Sequence, residues 1–513
     1  MISIIISSNI FGVDSFDVSV ETDITKGIPS FSIVGLPGTE IKEARERVKS
    51  AIINSGYRFP NSRIVVNLSP ADVKKQGSFL DFPIALGIMR GNIRKSVEYI
   101  NESIFVGELS LDGNLKRIRG ILPIVIGSME RGFKRIFIPE DNYSECMFVE
   151  GIDIIPIKTL KESMDFLNGI IKYEHIEERR GKIYRISKEK QSYESLDFSD
   201  IKGNTFLKRC AEVAAAGGHN MLMIGPPGSG KSFMAKRIPG IMPSMDESEM
   251  IEVSKIYSVY GSGNGLIKRR PFRSPHHTST EIAIIGGGAD ARAGEITMAH
   301  LGVLFLDEVA EFDRKTLEAL RQPIEDRKVD ISRSRYSISY PSDFMLVAAM
   351  NPCPCGYSGS DRECRCRTYE IERYRGKLSG PLLDRIDIFV EVNSITFEEM
   401  NNLSEGETSE DIRKRVESAR KIQKKRFGNN KITNRSMSGR DIDKYCRMDK
   451  NAQAAMKLIF DKYRLSNRAY TRIMALARTI SDIENREVIS ESDILEAFSM
   501  RRVYYKYFEK NYI

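Results

Sequence analysis

Over residues 1–171 the chain is built from short alternating apolar runs, SIIISS, RIVVNLS, SIFVGELSLDG and RIFIPED, which predict half-buried strands. One stretch breaks that alternation. In GTEIKEARERVKSAIINSG, Ile41, Ala44, Val48 and Ile52 recur at helical spacing, and Gly56 stands where such a helix would stop. Residues 172–200 are charged and poor in large apolar groups (EHIEERRGKIYRISKEKQSYES), which is linker composition. Residues 201–393 alternate continuous apolar runs with helical stretches, a βαβ rhythm that predicts a parallel sheet. Residues 394–513 read mostly as helices. The fold expected is therefore α/β, in about three domains for 513 residues.

Composition changes this picture little. With 41% hydrophobic and 29% charged residues the chain has the balance of a globular protein with real cores. No run approaches the ~18 apolar residues of a membrane span. The opening MISIIISSNIFGVD has no basic n-region or small-residue cleavage site, so a cytoplasmic location is expected. Disulfides are not expected there. A net charge of +8 permits an anionic partner without requiring one.

The chemistry begins at MLMIGPPGSGKSFMAK. An apolar strand, Met221–Ile224, runs into G-x-x-x-x-G-K-S, here Gly225, Pro226, Pro227, Gly228, Ser229, Gly230, Lys231 and Ser232, and a helical pattern follows. Such a loop wraps phosphates with backbone N–H groups. Lys231 is placed to reach the β- and γ-phosphates of ATP, and Ser232 to hold Mg²⁺. The run Val303–Leu306 then delivers Asp307 and Glu308 at the C-terminal end of a second buried strand. Asp307 is read as an Mg²⁺ ligand, through water, and Glu308 as the group that orients the attacking water. A third strand, in DFMLVAAMN, ends at Asn351, which can hydrogen-bond the γ-phosphate or that water. Arg385, in SGPLLDRIDIFVEV, is either an arginine that stabilises charge on the transferred phosphoryl group or a surface ion pair. In SNRAYTRIMALARTISD, Arg468 or Arg472 can reach back to the nucleotide, and Arg472 is preferred.

Four of the seven cysteines fall within NPCPCGYSGSDRECRC. Cys353–Cys355 and Cys364–Cys366 are two C-x-C pairs flanking a turn-rich stretch that can fold them face to face. Four thiolates suit a closed tetrahedral Zn²⁺ site, structural and without catalytic role. An iron–sulfur cluster uses the same ligands and stays open as an alternative. The paired histidines His276 and His277 are not expected to share one metal ion, since adjacent histidines rarely face the same point.

Several long strings go beyond these motifs: AAAGGHNMLMIGPPGSGKS, RPFRSPHHTSTEIAIIGGG, ARAGEITMAHLGVLFLDE, LRQPIEDRKVDISR, AAMNPCPCG and GPLLDRIDI. Through them the chain resembles, essentially end to end, the magnesium-chelatase-like AAA+ ATPases of the ComM/YifB family. The resemblance implies a Lon-protease-like α+β domain at residues 1–171, a P-loop AAA+ core at 201–393 and a helical lid at 394–513. It implies Walker A at Gly225–Ser232, Walker B at Asp307 and Glu308, sensor 1 at Asn351, an arginine finger at Arg385 and sensor 2 at Arg472. It further implies a hexameric ring driving branch migration on branched or single-stranded DNA in homologous recombination and natural transformation. A magnesium-chelatase-type motor that remodels a protein or metal complex is the alternative, although nothing in the chain offers a porphyrin site.

Lon-type peptidases use a Ser–Lys dyad, and the matching turns here are KKQGSFLDFPIAL and RIRGILPIV. They put Phe79 at the serine position, with Ser78 one place off, and Leu122 at the lysine position. Neither side chain can do the dyad's chemistry, so a binding or ring-stabilising module is expected. Two stretches suit a DNA path. EDRKVDISRSRYSISYPSD predicts a hairpin whose tip carries Arg333 and Arg335 for phosphates and Tyr336 for stacking, or else a solvated basic edge. Between Arg413 and Arg435 stand ten basic residues against one acid, Glu417, which marks a basic amphipathic helix, more often a solvated face than a DNA contact.

Overall fold

The computed structural model describes residues 2–75, 77–189, 196–263, 265–288, 291–333, 336–359, 362–393, 406–429 and 431–509. Two compact units divide the chain: Met1–Tyr193 together with Glu247–Lys268, and Glu194–Asp246 together with Arg269–Ile513.

In the first unit, strands β1 (Ile2–Phe11), β2 (Asp14–Thr25), β3 (Ser30–Val34) and β4 (Arg63–Ser69) form one sheet in the order β1-β2-β4-β3. Only the β3–β4 pair is parallel. Strands β5 (Ser103–Phe105), β6 (Arg135–Pro139) and β7 (Asp153–Ile157) form a second, parallel sheet. The helical spacing noted above becomes α1 (Thr39–Asn54), with Ile41, Ala44, Val48 and Ile52 all fully buried. Burial of each isoleucine and of Val48 contributes about 1.5–3 kcal/mol, and of the Ala44 methyl less. Helix α2 (Asp81–Ile88) is buried at every position, in keeping with its unbroken apolar run. Helix α3 (Ile121–Glu130) packs on β1 and β2.

Most of the stretch with linker composition is helical. Helix α4 (Tyr173–Glu189) buries Ile176 completely, and its arginines pair with acids of the first unit: Arg179 with Glu140 and Glu162, Arg180 with Asp153. Two of its arginines are therefore used in docking, which composition alone does not reveal, while Lys182 and Arg185 stay exposed. The helix Glu247–Tyr260 lies in sequence amid the second unit yet folds with the first. Its Ser258 closes the start of α3: the Leu122 N–H donates to Ser258 Oγ at 3.2 Å and the Gly120 N–H to Ser258 O at 2.9 Å.

The second unit is built on five parallel strands: β8 (Met221–Ile224), β9 (Phe272–Arg273), β10 (Val303–Leu306), β13 (Met345–Met350) and β14 (Ile388–Glu391). Their order is β9-β10-β13-β8-β14. Between β10 and β13 the chain makes the predicted antiparallel hairpin, β11 (Lys328–Arg333) and β12 (Tyr336–Pro341). Helices α5 (Thr205–Gly217), α6 (Lys231–Ala235), α7 (Ser409–Phe427), α8 (Lys450–Tyr463), α9 (Asn467–Ile483) and α10 (Glu491–Phe508) belong to the unit, with shorter helices between them. One apolar core unites the sheet with the C-terminal helices, for Met221, Val347 and Ile388 cluster with Ile412, Leu476 and Phe498. No described helix is long and apolar enough to cross a membrane.

Candidate functional site

At the C-terminal end of β8 the chain turns at Gly225, whose N–H donates to Met350 O at 3.2 Å. A Cβ there would lie 2.2 Å from Val392 O, so only glycine fits. Gly228 and Gly230 take left-handed φ values of 77° and 85°, and α6 begins at Lys231. Lys231 is 8% exposed. Its Nζ donates to the carbonyls of Gly225 and Pro226, both at 2.8 Å, and stands 3.5 Å from Asn351 Oδ1 at the end of β13. Burial lowers the pKa of this amine, and Asp307 and Glu308 oppose that shift.

Ser232 Oγ donates to Asp307 Oδ2 at 2.5 Å. These are hard oxygen donors at the mouth of the loop, the donor class that suits Mg²⁺. Glu308 sits at φ 49°, which turns the chain sharply after β10 and leaves its carboxylate about half exposed, 3.5 Å from His277 Nδ1. The rings of His276 and His277 lie 4.1 Å apart, and His276 Nδ1 bonds Thr278 Oγ1, so the two do not converge on one point. Lys231, Ser232, Asp307, Glu308 and Asn351 thus gather around one loop, at the edge where parallel sheets hold ligands.

The arginines form a separate group. Arg385 pairs with Glu325 at 2.6 Å and donates to Pro381 O at 2.6 Å. Arg472 pairs with the fully buried Asp387 at 3.1 Å and donates to Arg435 O at 3.2 Å. Both line a cavity of about 750 Å³ together with Arg327, Arg435 and Arg468, and no residue of the phosphate loop lines it. Arg472, preferred as the arginine that reaches back to the nucleotide, lines the same cavity as Arg385. Burial alone would raise the pKa of Asp387; Arg472, His219 and Arg435 more than reverse this and hold it well below the usual carboxylate range.

The four cysteines after Asn351 converge. Sγ separations are 3.4 Å for Cys353–Cys355 and 3.7 Å for both Cys353–Cys364 and Cys355–Cys364. With Cys366, all four sulfurs lie within 4.8 Å of one another. Tetrahedral Zn²⁺ with Zn–S bonds of ~2.3 Å requires separations of about 3.8 Å, so the set fits. The Tyr357 N–H draws the Cys355 thiol down to about 6, while burial and the neighbouring sulfurs push the Cys364 and Cys366 thiols up. Gly356, at φ 87°, rests on the phosphate loop: a Cβ there would stand 2.6 Å from Pro227 Cδ.

Other expected features are distributed as follows. Arg333 pairs with Tyr336 at the last rung of the β11–β12 ladder, and Arg335 lies outside the described residues. Much of the basic stretch serves the fold: Arg415 pairs with Glu212 and Glu407, Arg426 with Asp482, and Arg420 bonds Ala215 O. Lys421, Lys424 and Lys425 stay exposed. Where a Lon peptidase would carry its dyad, Leu122 is fully buried in an apolar cluster that Phe79 and Ile251 pack against, and Ser78 Oγ bonds Glu108. Sequence reading missed Asn220, Arg435 and Arg501. The only signal for Asn220 was a polar pair, His219–Asn220, placed directly before an apolar strand; the two arginines stand in no motif.

Three family descriptions match the chain: "Magnesium chelatase, subunit ChlI" over residues 197–400, "Subunit ChlI of Mg-chelatase" over 20–142, and "Magnesium chelatase, subunit ChlI C-terminal" over 406–501. The chain is 39% identical to the protein YifB of Escherichia coli K12, across 98% of this chain and 97% of that protein. It is 37% identical to competence protein ComM of Haemophilus influenzae, again across 98% and 97%. A shorter likeness, 31% over 102 residues, links 20% of this chain to 15% of an archaeal Lon protease from Methanocaldococcus jannaschii. Likeness across nearly the whole length at these identities is the mark of common descent, and the chain belongs to the ComM/YifB family of magnesium-chelatase-like AAA+ proteins.

Proposed function

We propose that this chain is an Mg²⁺-dependent ATPase that works as a ring, most naturally a hexamer, and drives branch migration on DNA during recombination of incoming strands. The observation that carries the reading is the hydrogen-bonded set around the phosphate loop, in which Lys231, Ser232, Asp307 and Asn351 stand within one or two contacts of each other. In this reading Lys231 exchanges its carbonyl partners for the β- and γ-phosphate oxygens, and Asn351 holds the γ-phosphate. Ser232 and Asp307 hold Mg²⁺, which neutralises charge on those phosphates. Glu308 orients and takes a proton from the attacking water. Arg385 and Arg472, grouped away from the loop, serve the nucleotide of a neighbouring copy, as head-to-tail contacts in a ring allow. Cys353, Cys355, Cys364 and Cys366 hold a structural Zn²⁺ that stiffens the loop against Pro227.

The DNA substrate rests on full-length likeness to a competence protein and on the β11–β12 hairpin, whose last described rung holds Arg333; in this reading Arg333 and the Arg335 that follows it in sequence meet phosphates. The test is ATP hydrolysis by the full chain with and without forked or three-strand DNA, scored together with movement of the branch point. Branched DNA is expected to stimulate hydrolysis and to be remodelled. If it does neither while hydrolysis persists, the motor acts on a protein or metal complex, as magnesium chelatase does.

A further inference from the structure

At the opposite end of β8 from the phosphate loop sits Asn220, 1% exposed and bonded through every polar atom. Its Nδ2 donates to the backbone carbonyl of Arg385 at 2.8 Å. Its Oδ1 accepts from the Leu346 N–H of β13 and from Arg435 Nη1, both at 2.9 Å. Its backbone N–H donates to Asp387 Oδ2 at 3.1 Å, and its carbonyl accepts from the N–H groups of Asp387 and Ile388, each at 3.0 Å. One residue thus joins the strand that ends in the phosphate loop, the strand that ends in Asn351, a C-terminal arginine and the backbone that carries Arg385.

We infer that Asn220 is a positioning residue that couples the strand bearing a chain's phosphate loop to the arginine it presents to its neighbour and so holds that arginine in place; this rests on the reading above that Arg385 acts across a subunit boundary. Two further contacts make the junction stiff. Asp387 holds Arg472 on Oδ1, and Arg501 Nη1 donates to Ile386 O at 2.9 Å and Asp387 O at 3.1 Å. Residues 385–387 are therefore gripped from β8 and from the C-terminal helices at once. Strand β8 is only four residues long, about 13 Å at ~3.3 Å per residue, and is paired to β13 and β14 along its whole length. A displacement of the loop at one end is carried by a rigid strand to Asn220 at the other, because packed elements shift as units and do not deform continuously. The amide is chemically required. It offers a donor to a carbonyl and an acceptor to an N–H and a guanidinium; a carboxylate has no donor, and an alanine leaves the Arg385 carbonyl and the Leu346 N–H without these bonds, while Arg435 keeps Gly218 O and Phe344 O.

The test uses two dead chains that repair one another. Lys231→Ala has no working loop but an intact Arg385; Arg385→Ala has the reverse. Mixed one to one, with subunit exchange confirmed, they should recover ATPase at interfaces that pair an intact loop with an intact arginine. Asn220→Ala is then added to one chain at a time. In the Lys231→Ala chain, which supplies the arginine, it should cut the recovered kcat by about ten- to a hundredfold, the scale of a misplaced catalytic group, with KM for ATP unchanged. In the Arg385→Ala chain it should leave the recovered rate within about twofold. Equal loss in both mixtures means that Asn220 only supports the fold and overturns the inference; no loss in either overturns it too. If the parent mixture stays dead although exchange occurs, the shared-site reading is what fails or the ring fires only when whole. The single variant Asn220→Ala then decides: wild-type ATP affinity with kcat cut as Arg385→Ala cuts it upholds the coupling, and an unchanged kcat removes it.

Discussion

The two ends of β8 treat charge in opposite ways. At the C-terminal end the reactive groups keep capacity in reserve: Lys231 borrows loop carbonyls and Glu308 lies about half exposed. At the N-terminal end Asp387 is fully buried and Arg501 nearly so, each engaged with fixed partners. A site that must hand its donors to phosphate holds them loosely. On the proposed function, a site that must aim an arginine elsewhere pins its backbone from several sides and leaves rigidity as the product. The same contrast appears in the first unit, where the turn that could have held a nucleophile is closed by Phe79 and Leu122 into an apolar cluster.

The largest expected effect tests what joins the two ends, the cysteine loop that runs from Asn351 towards Arg385. Replacing Cys355 and Cys364 by serine removes two thiolates, and structural zinc sites of this kind bind with on the order of 10 kcal/mol. The purified protein should contain about one zinc per chain and the variant none. Elemental analysis of the wild type that finds neither zinc nor iron ends this assignment.

Next come the two ends themselves. Lys231→Ala should abolish both ATP binding and turnover. Arg385→Ala should keep ATP affinity and lose roughly 10³–10⁵ in kcat, the range of trans-acting arginines. Should Arg385→Ala weaken ATP binding as strongly as Lys231→Ala, the division of labour between the ends is lost.

A smaller effect separates them by stability. Asp387→Ala takes the buried carboxylate from the partly exposed Arg472 and the fully buried His219 and should cost about 3 kcal/mol. Asp307→Ala gives up two hydrogen bonds at the open end, from Ser232 Oγ and the Glu308 N–H, and should cost about 1–2 kcal/mol. Denaturant melts that show equal losses would remove the contrast. Acid sharpens the same point. The folded pKa of Asp387 lies below its unfolded value, so its stabilisation is present above the ordinary ~3.9 and is lost as pH falls below it. The gap between wild type and Asp387→Ala should therefore narrow in acid.

The phosphate end was legible because its chemistry is contiguous: strand, glycine turn and Lys231–Ser232 follow one another, and each later strand carries its residue at its own end. The hairpin of Lys328–Pro341 and the helix from Thr39 were equally local, fixed by alternation and by helical spacing. Composition misled at Tyr173–Glu189, where arginines that look solvated are spent on acids of the first unit. For Arg472, helical position says which face the residue occupies and nothing about which cavity that face lines.

By itself the sequence determined the class of chemistry, the strands that bear it and the four cysteines that come together, because each of these depends on residues only a few positions apart. Tertiary structure alone decided that Arg385 and Arg472 share a cavity, that Glu247–Tyr260 folds with the first unit, and that Asn220 binds a carbonyl 165 residues away. A buried amide finds its partners by where packing leaves unsatisfied donors and acceptors, and that is a property of the assembled core which no local pattern encodes.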